Sequence, residues 1–184
     1  MKKIKTRDKI IDSAYKLFYK NGYNGTSIDD ILKDANVNKG SLYHYFKSKK
    51  ELLLAVIKER IAYSFEQKYK DIGKIDEPLK FLKENLLNSN DFDFKYGCAL
   101  NNLIQELSAV DKDIANELLK VYKNLEYYYY LALKDLNISK SEKENLAKMI
   151  LATVEGAIMA AKAAQNKEPY IQIINQLFKL IQKG

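Results

Sequence analysis

Asn38-Lys39-Gly40-Ser41-Leu42-Tyr43-His44-Tyr45-Phe46-Lys47-Ser48-Lys49-Lys50-Glu51-Leu52 is the stretch on which the reading of this chain turns. It sets basic, polar and aromatic side chains on a very short helix and starts a second helix at once. A helix that short buries too little to stand alone. Leu42 and Phe46, four apart, are its inward residues, so its other side chains face outward. A short helix held from behind and decorated in front fits a helix-turn-helix recognition helix, placed in the major groove of DNA.

The residues on either side supply the rest of such a unit. Ile10, Ile11, Ala14, Leu17 and Phe18 recur at helical spacing and predict a first helix over Thr6–Asn21, stopped by Gly22. Thr26 or Ser27 caps a second helix, whose Asp29 and Asp30 suit its positive start and whose Ile28, Ile31, Leu32 and Ala35 point inward. Asn36-Val37-Asn38 is the turn, with Val37 as its apolar plug and Asn38 as the cap of the third helix. Ser48 and Glu51 have the spacing of a capping box for a fourth helix that runs to about Lys70 without proline or glycine.

Charge is distributed unevenly. Residues 1–50 hold 12 Lys/Arg and 5 Asp/Glu, a net of +7, whereas residues 51–184 hold 19 of each. A basic end on a neutral body suggests that one end meets a polyanion. No run of about 18 apolar residues exists, so no membrane span is expected. The basic start Met1-Lys2-Lys3-Ile4-Lys5 has no apolar core after it, which argues against export and for a cytoplasmic protein. The single cysteine, Cys98, makes no internal disulfide.

Further along, Pro78 opens a helix, Asn88 to Phe94 reads as a loop, and Gly97 to Ser108 is helical with Leu100, Leu103, Ile104 and Leu107 on one side. A longer helix follows from Asp111 to about Leu136. Ser139 or Ser141 caps the next, which ends near Asn166, and Glu168-Pro169 opens the last. About nine helices and no strand are expected. The fold class is all-α: a helix-turn-helix DNA-binding domain over residues 1–47, then a helical ligand-binding and dimerisation domain over 48–184.

The run Arg7, Ile10-Ile11, Ala14, Leu17-Phe18, Gly22-Tyr23, Thr26-Ser27-Ile28, Ile31, Val37-Asn38-Lys39-Gly40-Ser41-Leu42-Tyr43, Tyr45-Phe46, Ser48-Lys49 and Glu51-Leu52 resembles the DNA-binding domain of the TetR family. These are bacterial one-component transcriptional regulators, usually repressors. Asn36 takes the tight-turn position where glycine is commoner, a conformation asparagine tolerates. The segment from Tyr96-Gly97-Cys98 to Ser108 is similar to the sixth helix of one TetR subgroup with a Gly-Cys start. The resemblance implies a pocket among helices 4 to 7 and a homodimer made by helices 8 and 9.

Specific roles follow. Lys39, Ser41, Tyr43 and His44 face the groove, with Lys39 suited to a guanine edge and Tyr43 to a phosphate or a thymine methyl. Gly40 permits close backbone approach. Thr26, Ser27, Tyr45 and Lys49 are phosphate contacts, the first two through the positive end of the second helix, and Asn38 completes the DNA-binding set. Tyr63, Phe65, Tyr96 and Tyr122, with Met159, are candidates for a pocket suited to a hydrophobic or aromatic effector, and Asn101, Asn102, Gln105, Glu106 and Glu155 for its polar handles. The run Tyr127 to Tyr130 points all round its helix and cannot share one surface. Ile150, Val154, Ala157, Ile158, Ala161, Ile174, Leu177, Phe178 and Ile181 are expected at the dimer interface.

No cofactor is expected, and a lone histidine with no Cys/His/Asp/Glu cluster argues against a metal site. No nucleophile–base arrangement points to an enzyme. The expected partners are a near-palindromic DNA operator, a second copy and a small effector. The alternative is a DNA-binding regulator switched by thiol chemistry at Cys98 or by a protein partner. Cys98 at a helix start suits a thiolate, whereas packing as a small buried hydrophobe is the plainer role.

Overall fold

The computed structural model describes residues 5–88 and 93–182. Residues 89–92 of the expected Asn88–Phe94 loop, and Met1 to Ile4, lie outside them. The described residues form nine helices. These are α1 (Thr6–Asn21), α2 (Ile28–Ala35) and α3 (Lys39–Tyr45). A continuous α4 follows, built of α-helix Lys49–Val56, a π-helical stretch Ile57–Ala62 and α-helix Tyr63–Tyr69. After a 3-10 turn at Ile72–Lys74 come α5 (Pro78–Leu87), α6 (Ala99–Leu107), α7 (Lys112–Ala132), α8 (Lys140–Ala164) and α9 (Glu168–Ile181). They pack as two compact units: residues 1–64 with 99–121, and residues 65–98 with 122–184.

In the first unit, local chemistry sets each helix end. Gly22, at φ +77°, stops α1 while its N–H still reaches the Phe18 carbonyl. The Ser27 hydroxyl accepts from the Asp30 N–H, and the Asp30 carboxylate accepts from the Ser27 N–H, a reciprocal cap. Asn36 takes the left-handed conformation (φ 52°) that the turn into α3 requires. Ser48 caps α4 through the Glu51 N–H. The expected second half of that box is displaced by one residue, because the Glu51 carboxylate accepts from the Lys47 N–H at 2.8 Å.

Behind α3 lies a core of Ile10, Ile11, Ala14, Phe18, Ile31, Leu42, Phe46, Leu52, Leu53 and Val56, all buried. Each large member contributes roughly 1.5–3 kcal/mol by burial, which is how a seven-residue helix persists. Leu42 and Phe46 point inward as their spacing requires.

In the second unit, α9 packs along α8 and against α5. Ile150, Leu151, Val154, Ala157 and Ile158 of α8, together with Tyr170, Ile174 and Phe178 of α9, are buried. The Tyr170 hydroxyl donates to the Leu86 carbonyl at 2.8 Å, and its ring lies 5.6 Å from that of Phe94. Tyr129 is buried edge-on to Tyr69, with centroids 5.9 Å apart. Ser139 and Glu142 form the cap of α8. No helix among the described residues is long and apolar enough to cross a membrane.

Candidate nucleic-acid interface

The outward side of α3 is built from Lys39, Gly40, Tyr43, His44 and Tyr45, all exposed, with Ser41 half-buried beside them. The Asn38 side chain accepts from the Ser41 N–H at 2.8 Å, which fixes the start of the helix. Lys39 Nζ stands 6.0 Å from the Tyr43 ring centroid. His44 packs edge-on to Tyr45 at 4.8 Å. The chain itself does not demand a glycine at position 40, since a Cβ there would meet only Asn38 Oδ1 at 3.4 Å.

Two expected phosphate contacts are placed differently. Thr26 is only 1% exposed, and its hydroxyl donates to the Gly22 carbonyl at 2.8 Å. Its side chain therefore braces the turn instead of facing outward. Lys49 is half-buried, with Nζ 4.2 Å from the Tyr23 ring centroid. Burial lowers its pKa, and Glu106 works against that shift. Ser27 and Tyr45 are exposed as a backbone-facing role requires. The Ser27 hydroxyl also donates to Asp30 at 2.6 Å, and this bond holds the Asp30 carboxyl below its ordinary range.

Charged pairs hold this unit together at its surface. Arg7 makes a two-pronged pair with Glu59, at 2.6 and 2.5 Å, while its guanidinium carbon lies 5.2 Å from the centre of the Phe46 ring. Arg60 bonds Asp12 at 2.6 Å, and Lys16 pairs with Asp34. Lys50, in the first turn of α4, meets Asp111 at 2.9 Å and Asp113 at 2.7 Å.

The candidate pocket residues are divided between the two units. Tyr63, Asn101, Asn102, Gln105 and Glu106 belong to the first unit, and Phe65, Tyr96, Tyr122, Glu155 and Met159 to the second. Tyr63, Gln105 and Met159 are exposed, Met159 to 67%. The Glu106 carboxylate is engaged by backbone: it accepts from the Tyr23 N–H at 2.9 Å and the Asn24 N–H at 2.7 Å. It is thus a structural acceptor and not an effector handle.

Within the second unit, Tyr122 and Glu155 are brought together. Burial raises the Tyr122 pKa, and the Glu155 charge raises it further. One Glu155 oxygen is shut off from solvent. Tyr129 is pushed well above its ordinary 10.0, first by burial and then by Tyr69, Tyr170, Glu155 and Cys98. Tyr69 and the tyrosine run that includes Tyr129 belong to the aromatic set the sequence offers for a pocket, whereas Tyr170 was not singled out. Cys98 is buried among these groups.

The dimer expectation also changes. Ile150, Val154, Ala157, Ile158, Ala161, Ile174 and Phe178 are buried inside their own unit and have no surface left for a partner. Leu177 and Ile181 are half-buried. The apolar face that remains open on α8 is Met149, Ala152, Gly156, Met159 and Ala163, at a spacing of alternate threes and fours. Ile173, Leu177 and Leu180 extend along α9 at the same kind of spacing.

Comparison with known proteins gives two family matches. Residues 10–56 match the model of bacterial regulatory proteins of the tetR family, and residues 72–176 the C-terminal domain of LmrA/YxaF-like transcriptional regulators. An HTH-type transcriptional regulator in the lacX 3' region of Lactococcus lactis subsp. lactis is 38% identical over 168 residues, covering 88% of this chain and 85% of that protein. The HTH-type negative transcriptional regulator of the icaADBC biofilm operon, IcaR, from Staphylococcus aureus (strain Newman) is 27% identical over 95% of this chain and 96% of its own. A crystal structure of a TetR transcriptional regulator from Legionella pneumophila superposes with a TM-score of 0.86 over 98% of this chain and 99% of that one; at 20% identity it speaks to the fold alone.

Proposed function

The chain belongs to the tetR family of bacterial regulatory proteins, with an LmrA/YxaF-like C-terminal domain, and from that premise we propose that it is a cytoplasmic, homodimeric repressor whose α3 reads a near-palindromic operator. Regulators, not enzymes, make up this family. The observation that carries the reading is α3 itself: Leu42 and Phe46 are buried, while Lys39, Tyr43, His44 and Tyr45 remain on the surface of a helix capped at its start. Repression is favoured by the role of IcaR as a negative regulator. Residues 1–47 form the DNA-reading domain on this proposal, and 48–184 the effector and dimerisation domain.

Two copies place two recognition helices in successive major grooves, whose half-sites lie about 34–36 Å apart or at multiples of that spacing. The dimer face is the open stripe of Met149, Ala152, Gly156, Met159 and Ala163 with Leu180. The effector is a small hydrophobic or aromatic molecule with polar handles, held by the tyrosines of the second unit around Tyr122 and Glu155. Its binding shifts the population toward dimers whose recognition helices no longer match the half-sites. The burial of Cys98 supports a packing role over a thiol switch. A thiol reagent that modifies the folded protein rapidly at neutral pH would reverse that preference.

The test is a fluorescence-anisotropy titration against DNA from upstream of the protein's own gene, with scrambled DNA as control, at two salt concentrations. Tight binding to the upstream DNA alone, weakening as salt rises, is expected. Equal binding to both sequences would sink the operator assignment.

A further inference from the structure

We propose that Glu106 is a positioning residue for operator binding, because its carboxylate clamps the turn that launches α2. The inference rests on the operator-binding reading above and goes beyond it. The turn from Gly22 to Thr26 turns the N–H groups of Tyr23 and Asn24 toward one acceptor. Glu106, more than 80 residues away in sequence, supplies one oxygen to each, Oε2 to Tyr23 at 2.9 Å and Oε1 to Asn24 at 2.7 Å.

Glycine at position 22 makes this approach possible. A Cβ there would stand 3.1 Å from Oε2 and 3.3 Å from Oε1, and the positive φ of 77° already disfavours any side chain. The same turn is held from its other side by the Thr26 hydroxyl on the Gly22 carbonyl. Lys49 stands over the Tyr23 ring, and Glu106 favours its charged form. One carboxylate thus fixes the backbone ahead of Ser27, the cap of α2, and supports a lysine at the start of α4.

The surrounding charge is arranged in the same sense. Residues 99–121 contain four acids, Glu106, Asp111, Asp113 and Glu117. The other three meet lysines of α4: Asp111 and Asp113 meet Lys50, and Glu117 lies 3.6 Å from Lys58. Glu106 instead meets two backbone amides from a distant stretch of the chain. Surface ion pairs contribute little individually, whereas a carboxylate that satisfies two converging amides removes the freedom of the turn, and its loss leaves the half-buried Tyr23 N–H without this acceptor.

Glu106→Gln in the full-length chain is the diagnostic change. It keeps the shape, but it turns an NH2 group toward one of the two N–H donors. The operator Kd is expected to rise about tenfold, the scale set by one charge-assisted hydrogen bond. The slope of affinity against salt stays unchanged, because no phosphate contact is removed. Amide hydrogen exchange at Tyr23 and Asn24 accelerates while the helix amides of the second unit keep their rates, a local signature that general destabilisation would not give. Ser108→Ala, at a nearby exposed position, binds as wild type. If Glu106→Gln binds within about twofold of wild type while Lys39→Ala loses its base preference, the clamp plays no part in DNA binding and this proposal is overturned, the operator reading standing. If the wild-type protein shows no preference for its upstream DNA, both fall together.

Discussion

In the unit of residues 1–64 and 99–121, cations and carboxylates meet near the surface: Arg7 with Glu59, Arg60 with Asp12, Lys50 with Asp111 and Asp113. In the unit of residues 65–98 and 122–184, ion pairs such as Lys74 with Asp71 and Lys80 with Glu77 join near neighbours in sequence, and tyrosines lie inside at Tyr69, Tyr129 and Tyr170. The first arrangement keeps a basic surface available and leaves its supports open to salt and acid. The second makes a polar interior in which each hydroxyl needs a partner, a setting in which small ligands are held by a few fixed groups.

The contrast can be broken most forcefully in the second core. Phe178→Ala should cost about 3–5 kcal/mol, read by urea denaturation, because Phe178 is fully buried between α9 and its neighbours. An effect below about 1 kcal/mol would mean that this core is looser than its burial implies. The next effect belongs to the DNA-facing side. Lys39→Ala should relax base preference by on the order of 1–3 kcal/mol, whereas Lys49→Ala, which removes the cation over the Tyr23 ring, should weaken all sequences alike. Equal losses of preference in both variants would erase the division between reading and positioning.

Asn38→Ala should cost about 1 kcal/mol of stability through loss of the α3 cap, seen as a lowered Tm. The pH profile sharpens the comparison with smaller increments per group. Arg7 holds the Glu59 carboxyl below its ordinary 4.5, and Lys50 holds Asp111 below 3.8. Stability from such depressed groups is present above about pH 4.5 and is lost as pH falls through their folded values. The Arg7–Glu59 pair is more than a third exposed, so its share is a few tenths of a kcal/mol up to about 1. Tyr129 has the opposite sign: its raised pKa stabilises the fold below pH 10.0, and that contribution fades as pH climbs beyond it. Hydrogen exchange should therefore find the first unit opening earlier in acid and the second earlier in alkali. Simultaneous opening at both limits would contradict the contrast.

Much of the first unit was legible because its determinants are local. Ser27, Asn38 and Ser48 cap as their spacing indicates, as Ser139 does in the second unit, and Asn36 takes the left-handed turn. Glu106 was misread as an effector handle because its partners lie 82 and 83 positions away and are backbone amides, which carry no residue-type signal. Thr26 was misread because a hydroxyl at a helix start looks the same whether it faces out or ties down the turn. The α8 residues failed for a different reason. Periodicity identifies an apolar side but not whether its cover comes from the same chain. The buried stripe of Ile150, Val154 and Ile158 and the open stripe of Met149, Gly156 and Met159 lie side by side on one helix. The π-helical stretch Ile57–Ala62 left no mark that a search for proline or glycine would notice.

Gly156 sits in the middle of a 25-residue helix, and among the described residues, its chain neighbours and its own helix backbone apart, nothing lies within 4 Å of where a Cβ would be. For a lone subunit, glycine at that place is a pure handicap of roughly 0.5–1 kcal/mol against alanine. The gap makes position 156 a reporter that is silent toward its own fold. Alanine there should firm up an isolated subunit, and a bulkier side chain should register only what approaches from outside.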